Sequence, residues 1–267
     1  LATLQQSLFD HCIGFERHGY DLLLIFCGFI VAYILIYIFS YATSATFRRF
    51  GSGQRADWVS RGISTLHALV CMGIVPLALL NDGEIHSSHT GTDAFSFITV
   101  GFTAVYFIFD LMIVILYHGT LGELSTYIHH ITCIVPFGFG SCYGHFLYMG
   151  HLAQVLEFST PFVNNHWFIS HLGYRSSWIY TLNLFGMWIT FLAFRIIFVP
   201  GKILPHYYFD WGEIMEVSPI VWISVLFASV VVFVLSSMWF LMISKALSAN
   251  FSGKDQKRKK KEEERRR

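Results

Sequence analysis

The sequence predicts an all-α fold: a polytopic bundle of about seven transmembrane helices. Three observations predict it. Of 267 residues, 54% are hydrophobic and 13% charged, with a mean hydropathy of +0.54, a balance foreign to a soluble domain of this size. Apolar runs recur at close to the roughly 20 residues that cross a bilayer. Basic residues cluster in alternate connections between those runs, the pattern of a chain threading a membrane repeatedly.

The predicted spans are 22–41, 59–80, 95–117, 124–143, 146–162, 178–199 and 219–243. The fourth and fifth are the weakest, and the fifth carries His151, Gln154 and Glu157. Two arrangements are open for this pair, two full spans or a re-entrant hairpin buried in the bundle. Two spans are preferred. Arg48, Arg49 and Arg55 in the first connection, and Arg175 in the fifth, put those connections in the cytosol. The second connection has Asp82, Glu84 and Asp93 but no Lys or Arg, and the sixth has Lys202 against Asp210, Glu213 and Glu216. The N-terminus is therefore expected on the lumenal or outer face and the C-terminus in the cytosol. Three parts follow: 1–54 with the first helix, a membrane domain over 55–245, and a basic, disordered cytosolic tail over 246–267. The tail has the charge to meet anionic headgroups. Asn250-Phe251-Ser252 matches a glycosylation acceptor that should stay unmodified in the cytosol.

Ionisable residues inside apolar spans are costly and face the protein interior or a watery cavity. His129 and His130 are adjacent in the fourth span. At about 1.5 Å per residue they lie about 8–9 Å from its cytosolic end, with Asp110 about 10 Å deep, Glu157 about 8 Å and His67 about 12 Å. These depths agree, so one polar cluster is expected. Arg195 stands apart, near the lumenal end of the sixth span, where it can snorkel to the interface. Helical spacing groups Ser60, Ser64, His67 and Cys71 on one face, Tyr106, Asp110 and Tyr117 on another, and Gln154, Glu157, Pro161 and Asn164 on a third. Adjacent histidines point about 100° apart, so one of the pair faces the axis and the other a neighbouring helix. Asp110 needs a partner, and a histidine suits it. No His-x-x-x-His or His-x-x-His-His spacing occurs, so no metal is expected. The bland alternative for every member is a tie between helices.

The ordered set of Trp58, Arg61 and His67, Phe109-Asp110-Leu111 with Tyr117, Ile128-His129-His130-Ile131, Leu156-Glu157-Phe158-Ser159-Thr160-Pro161-Phe162 with Asn164 and Trp167, and Phe194-Arg195 resembles the TLC (TRAM/LAG/CLN) domain family. The likeness is to the TLC domain-containing subgroup rather than to true ceramide synthases. It implies an endomembrane protein of lipid homeostasis, commonly in the endoplasmic reticulum. Ceramide synthases have two aspartates downstream of the His pair. With the downstream helix aligned on Glu157, those positions here hold Gly150 and Ala153, so both acids are missing.

The expected function is the binding or handling of acyl lipids, with influence on membrane lipid composition. The alternative is an acyl-CoA-dependent acyltransferase. There His129 or His130 would act as base or nucleophile, and Asp110 or Glu157 would orient the imidazole. His67, Glu157, Arg61, Tyr117 and Gln154 would form the supporting polar cluster. No cofactor is expected, with acyl-CoA a co-substrate only in the second case. The partners are membrane lipids, acyl-CoA or sphingoid-type amines and, at the tail, anionic headgroups, with no nucleic acid.

Overall fold

The computed structural model describes residues 13–80 and 94–252. The acidic second connection and the basic tail beyond residue 252 lie outside them. The described residues are helical throughout, with no strand among them. Five helices are long and apolar enough to cross a membrane: Glu16–Thr43, Ser52–Leu80, Ala94–Leu116, Trp178–Phe209 and Pro219–Phe251. The chain is an integral, multi-pass membrane protein.

The elements that position the site are α1 (Ile13–Thr43), the short α2 (Ala45–Arg49), α3 (Ser52–Leu80), α4 (Ala94–Leu116), the single turn α5 (His118–Leu121), and α6 (Leu124–Tyr143). They continue with α7 (Leu147–Gln154), a 3-10 stretch at Val155–Ser159, α8 (Thr160–His171) and α9 (Trp178–Phe191). Two π-helical stretches (Leu192–Ile197, Val199–Ile203) lead to α10 (Leu204–Phe209), α11 (Trp211–Ile214) and α12 (Pro219–Phe251). Side-chain oxygens cap two starts: Ser44 accepts from the Phe47 amide at 3.1 Å and Ser177 from the Tyr180 amide at 3.3 Å.

The fourth and fifth segments form two antiparallel rods. Gly144 (φ 71°) ends α6 in the left-handed conformation, where glycine carries no steric penalty. Two residues on, Phe146 (φ 59°) takes the same region without that freedom, and its buried ring compensates for the strain. On α6, Leu124, Ile128, Ile131 and Val135 are exposed at i, i+4, i+7 and i+11, an outward apolar stripe along the rod. The next rod has a different surround: none of residues 146–160 is exposed. It is the axis of the bundle and touches protein rather than lipid, which explains how it tolerates polar side chains.

Several predicted boundaries need correction: the first helix begins at Ile13 and the second at Ser52, and the rod expected over 146–162 continues to His171. The sixth helix is expected over 178–199. Instead the wide π turns carry the chain past Pro200 to Phe209, since a loosened turn tolerates the lost amide donor. The last helix runs to Phe251, so the first residues assigned to the tail are helical.

One end of the bundle gathers alternate connections. The Trp58 indole donates to Ser40 Oγ at 3.0 Å and its ring meets Trp167 at 6.0 Å. Asn250 donates to Thr181 Oγ1 at 3.0 Å, joining the end of α12 to the start of α9. Gly53 touches Thr120 so closely that no Cβ fits between α3 and α5.

Candidate functional site

Below that gathered end lies a cavity of about 710 Å³, walled by α3, α4, α6, α8, α9 and α12. Its mouth holds Arg61, whose Nε donates to Asp57 Oδ1 at 2.8 Å and whose Nη1 donates to Asn164 Oδ1 at 3.4 Å. The guanidinium also lies 5.0 Å from the Trp167 ring centroid, a cation–π distance.

Deeper in, Asp110 accepts from the Ser60 hydroxyl at 2.5 Å through Oδ1 and meets His130 Nε2 at 2.8 Å through Oδ2. His130 Nδ1 lies 2.8 Å from the Thr126 carbonyl. A carbonyl only accepts, so Nδ1 carries a proton and one further proton is shared between Nε2 and the carboxyl. Both nitrogens of His130 are thereby committed. His129 is different. Its ring lies across those of Phe107 and Trp239, at centroid distances of 5.5 and 5.6 Å, and Nδ1 is 3.8 Å from Cys133 Sγ. Nε2 has no hydrogen-bond partner among the described residues. The 100° offset between neighbours on α6 has separated a fastened histidine from a free one.

At the cavity floor, Glu157 on the 3-10 stretch accepts from Thr160 Oγ1 at 2.7 Å and faces Arg195 Nη2 at 3.5 Å. Arg195 does not snorkel. It is buried, its Nε donating to the Leu156 carbonyl at 3.1 Å and to Ser159 Oγ at 2.9 Å. The helix extends well past Val199, so Arg195 stands mid-helix, and the π turn carries it inward.

Beyond the floor is a second chamber of about 80 Å³, lined chiefly by Val100, Phe137, Phe146, Met149, Leu156, Val199, Val225 and Val232. Four residues border both spaces: Phe107, His129, Glu157 and Arg195.

The expected single cluster is in fact two. His67 and Gln154 do not line the large cavity. His67 Nε2 meets Thr103 Oγ1 at 3.1 Å, and Gln154 Nε2 donates to that same hydroxyl and to the Thr99 carbonyl, each at 2.7 Å. His151 Nδ1 completes this network at 2.9 Å from Gln154 Oε1. Thr103 lies two helical turns from Asp110, about 10 Å along α4, which separates the networks. Tyr117 lines neither space and packs against the α1–α4 core instead. Sequence reasoning singled out neither Asp57 nor Trp239, and it placed Arg195 elsewhere. Among the described residues no group of three or more His, Cys, Asp or Glu side chains is placed to hold a metal.

A TLC domain model matches residues 57–245, most of the chain. The chain belongs to the TLC-domain family. It is similar to TLC domain-containing protein 4 of Homo sapiens, 28% identical over 221 residues, covering 80% of this chain and 82% of the relative. The protein of that name in Xenopus tropicalis is 30% identical over 160 residues, 59% of this chain and 62% of the relative. TLC domain-containing protein 4 A of Dictyostelium discoideum is 23% identical over 233 residues, 84% and 89% respectively. No solved structure matches significantly. Within this TLC domain, Gly150 and Ala153 both line the apolar chamber, so the missing acids correspond to apolar wall.

Proposed function

We propose that this TLC-domain protein binds an acyl lipid, with its headgroup in the large cavity and the first carbons of its acyl chain entering the apolar chamber, and so influences membrane lipid composition. The observation behind this reading is the meeting, at one border, of an apolar chamber with a larger cavity that carries ionisable side chains. Amphiphiles need that juxtaposition, whereas a tie between helices needs no cavity. The proposal includes seven crossings, the N-terminus lumenal or outside, the C-terminus cytosolic, and residence in the endoplasmic reticulum or another endomembrane. On that orientation the cavity mouth faces the cytosol, and the basic tail meets anionic headgroups. Purification in mild detergent followed by lipid extraction and mass spectrometry tests it. An acyl lipid should co-purify with the natural chain and be lost from Ala153→Phe, which fills the chamber. It should be retained by Ile131→Phe on the outward face of α6. Equal retention by both variants would refute the reading.

A second reading is supported by His129, which borders both spaces and has a nitrogen without a hydrogen-bond partner among the described residues. An acyltransferase would use it as base or nucleophile toward an acyl-CoA thioester. The Asp110–His130 pair would then act as scaffold, because neither of its imidazole nitrogens is free. Intact mass after incubation with long-chain acyl-CoA tests this. An adduct lost in His129→Ala and discharged by a lipid amine supports the enzyme, and its absence favours binding alone.

A further inference from the structure

We infer that Arg195 recognises the carbonyl oxygen at the head of an acyl chain, and that the ligand is a neutral acyl lipid (an ester, thioester or amide) rather than a free acid or an alcohol. This assignment rests on the lipid-binding reading and narrows it.

With the first carbons of the acyl chain in the apolar chamber and the head in the large cavity, the first polar atoms of the ligand lie at the border between them. Only Phe107, His129, Glu157 and Arg195 line both. A carbonyl oxygen accepts and never donates, so it needs an N–H. Phe107 has none, the Glu157 oxygens already face Thr160 and Arg195, and His129 offers at most one N–H, from Nε2, and only in one tautomer. Arg195 has a pre-set fork. Its Nε is held by Leu156 and Ser159, and Nη2 lies 3.4 Å from Thr160 Oγ1 and 3.5 Å from Glu157. The guanidinium is also 5.1 Å from the Phe191 ring centroid. Nη1 has no hydrogen-bond partner among the described residues. A planar donor fixed by neighbours loses little entropy on accepting a ligand.

Charge selects among carbonyl ligands. Glu157 already offsets Arg195 at the border. A carboxylate would add an uncompensated anion to a buried site, whereas a neutral carbonyl adds none. An alcohol presents a weaker acceptor, and the Glu157 oxygens that could take its proton already face Thr160 and Arg195.

The test uses the full chain purified in detergent and three competitors of one chain length: a long-chain fatty acid, its methyl ester and the corresponding alcohol. Each displaces a fluorescent acyl lipid. The ester should bind at least about tenfold tighter than the alcohol, the scale of one hydrogen bond to a charged donor. The paired change Arg195→Gln with Glu157→Gln leaves no orphan charge. It should bring the ester to the alcohol's affinity and leave the alcohol unmoved. Equal binding of ester and alcohol to the natural chain overturns the assignment, as does discrimination that survives the paired change. Tightest binding by the acid overturns the neutral-ligand part. If none of the three displaces the reporter, the lipid-binding reading itself fails. Should the paired variant not fold, the ratio measured on the natural chain still decides.

Discussion

His129 and His130 differ by one position and by nearly everything else. His130 is tied at both nitrogens, and removing it leaves Asp110 buried with only Ser60 for company. His130→Ala should therefore cost about 3–5 kcal/mol of stability, the penalty for breaking a buried pair. His129→Ala removes a ring from a cavity wall and should cost about 1 kcal/mol. Thermal unfolding of both variants in the same detergent measures the contrast, and equal losses would refute the division of roles. Gly150 offers a second residue-level test. A Cβ there would stand 3.0 Å from Val100 Cγ2, and the position faces the apolar chamber. Gly150→Asp, which restores an acid at the aligned position, should destabilise the fold by several kcal/mol, roughly the cost of a buried polar group without a partner. It should also expel bound lipid, with no gain of acyl transfer.

Elements meet here through small residues and wide turns. Gly186 on α9 lies against Phe162 on α8, where a Cβ would stand 2.7 Å from Cε1. Close helix approach of this kind is the usual basis of association in membranes, where apolar burial gives no advantage over lipid. Gly186→Ala should force Phe162 aside and cost about 1–3 kcal/mol, read as a lower unfolding temperature. The polar cavity, bordered by Phe191 and Met187 on the same helix, should distort with it. The π stretch at Leu192–Ile197 has the opposite effect, widening a turn so that Arg195 enters the interior. The helical pattern of α3 and α4 was legible in the sequence because its period is local. The π turn was not, because no local signal distinguishes a proline that ends a helix from one that a loosened turn accommodates.

For the whole molecule, the central rod decides how the bundle is arranged. Residues 146–160 are enclosed on every side, so the polar content that weakened the fifth segment as a span marks it as the axis. On the proposed seven crossings, His145, in the turn between α6 and α7, lies on the face opposite Arg175. In a cysteine-free background, His145→Cys should react with a membrane-impermeant maleimide only after the lumenal face is opened. Arg175→Cys should react once the plasma membrane alone is permeabilised. A His145→Cys that stays unreactive under both conditions would favour the re-entrant hairpin.

The sequence alone determined the class of molecule and the raw materials of its site. Lipid solvates apolar side chains and not ionisable ones, so apolar runs and their rare ionisable exceptions can be read directly from composition and spacing. That is why Asp110, the His pair and Glu157 stood out before any coordinates. Their partners are another matter. Whether Asp110 meets His129 or His130, whether His67 joins them, and whether Arg195 faces the interface or the core depend on rotations and separations between helices. Side chains on other rods fix those quantities. Only the tertiary structure set the free histidine beside the buried arginine at the border of two chambers, because only packing creates a cavity.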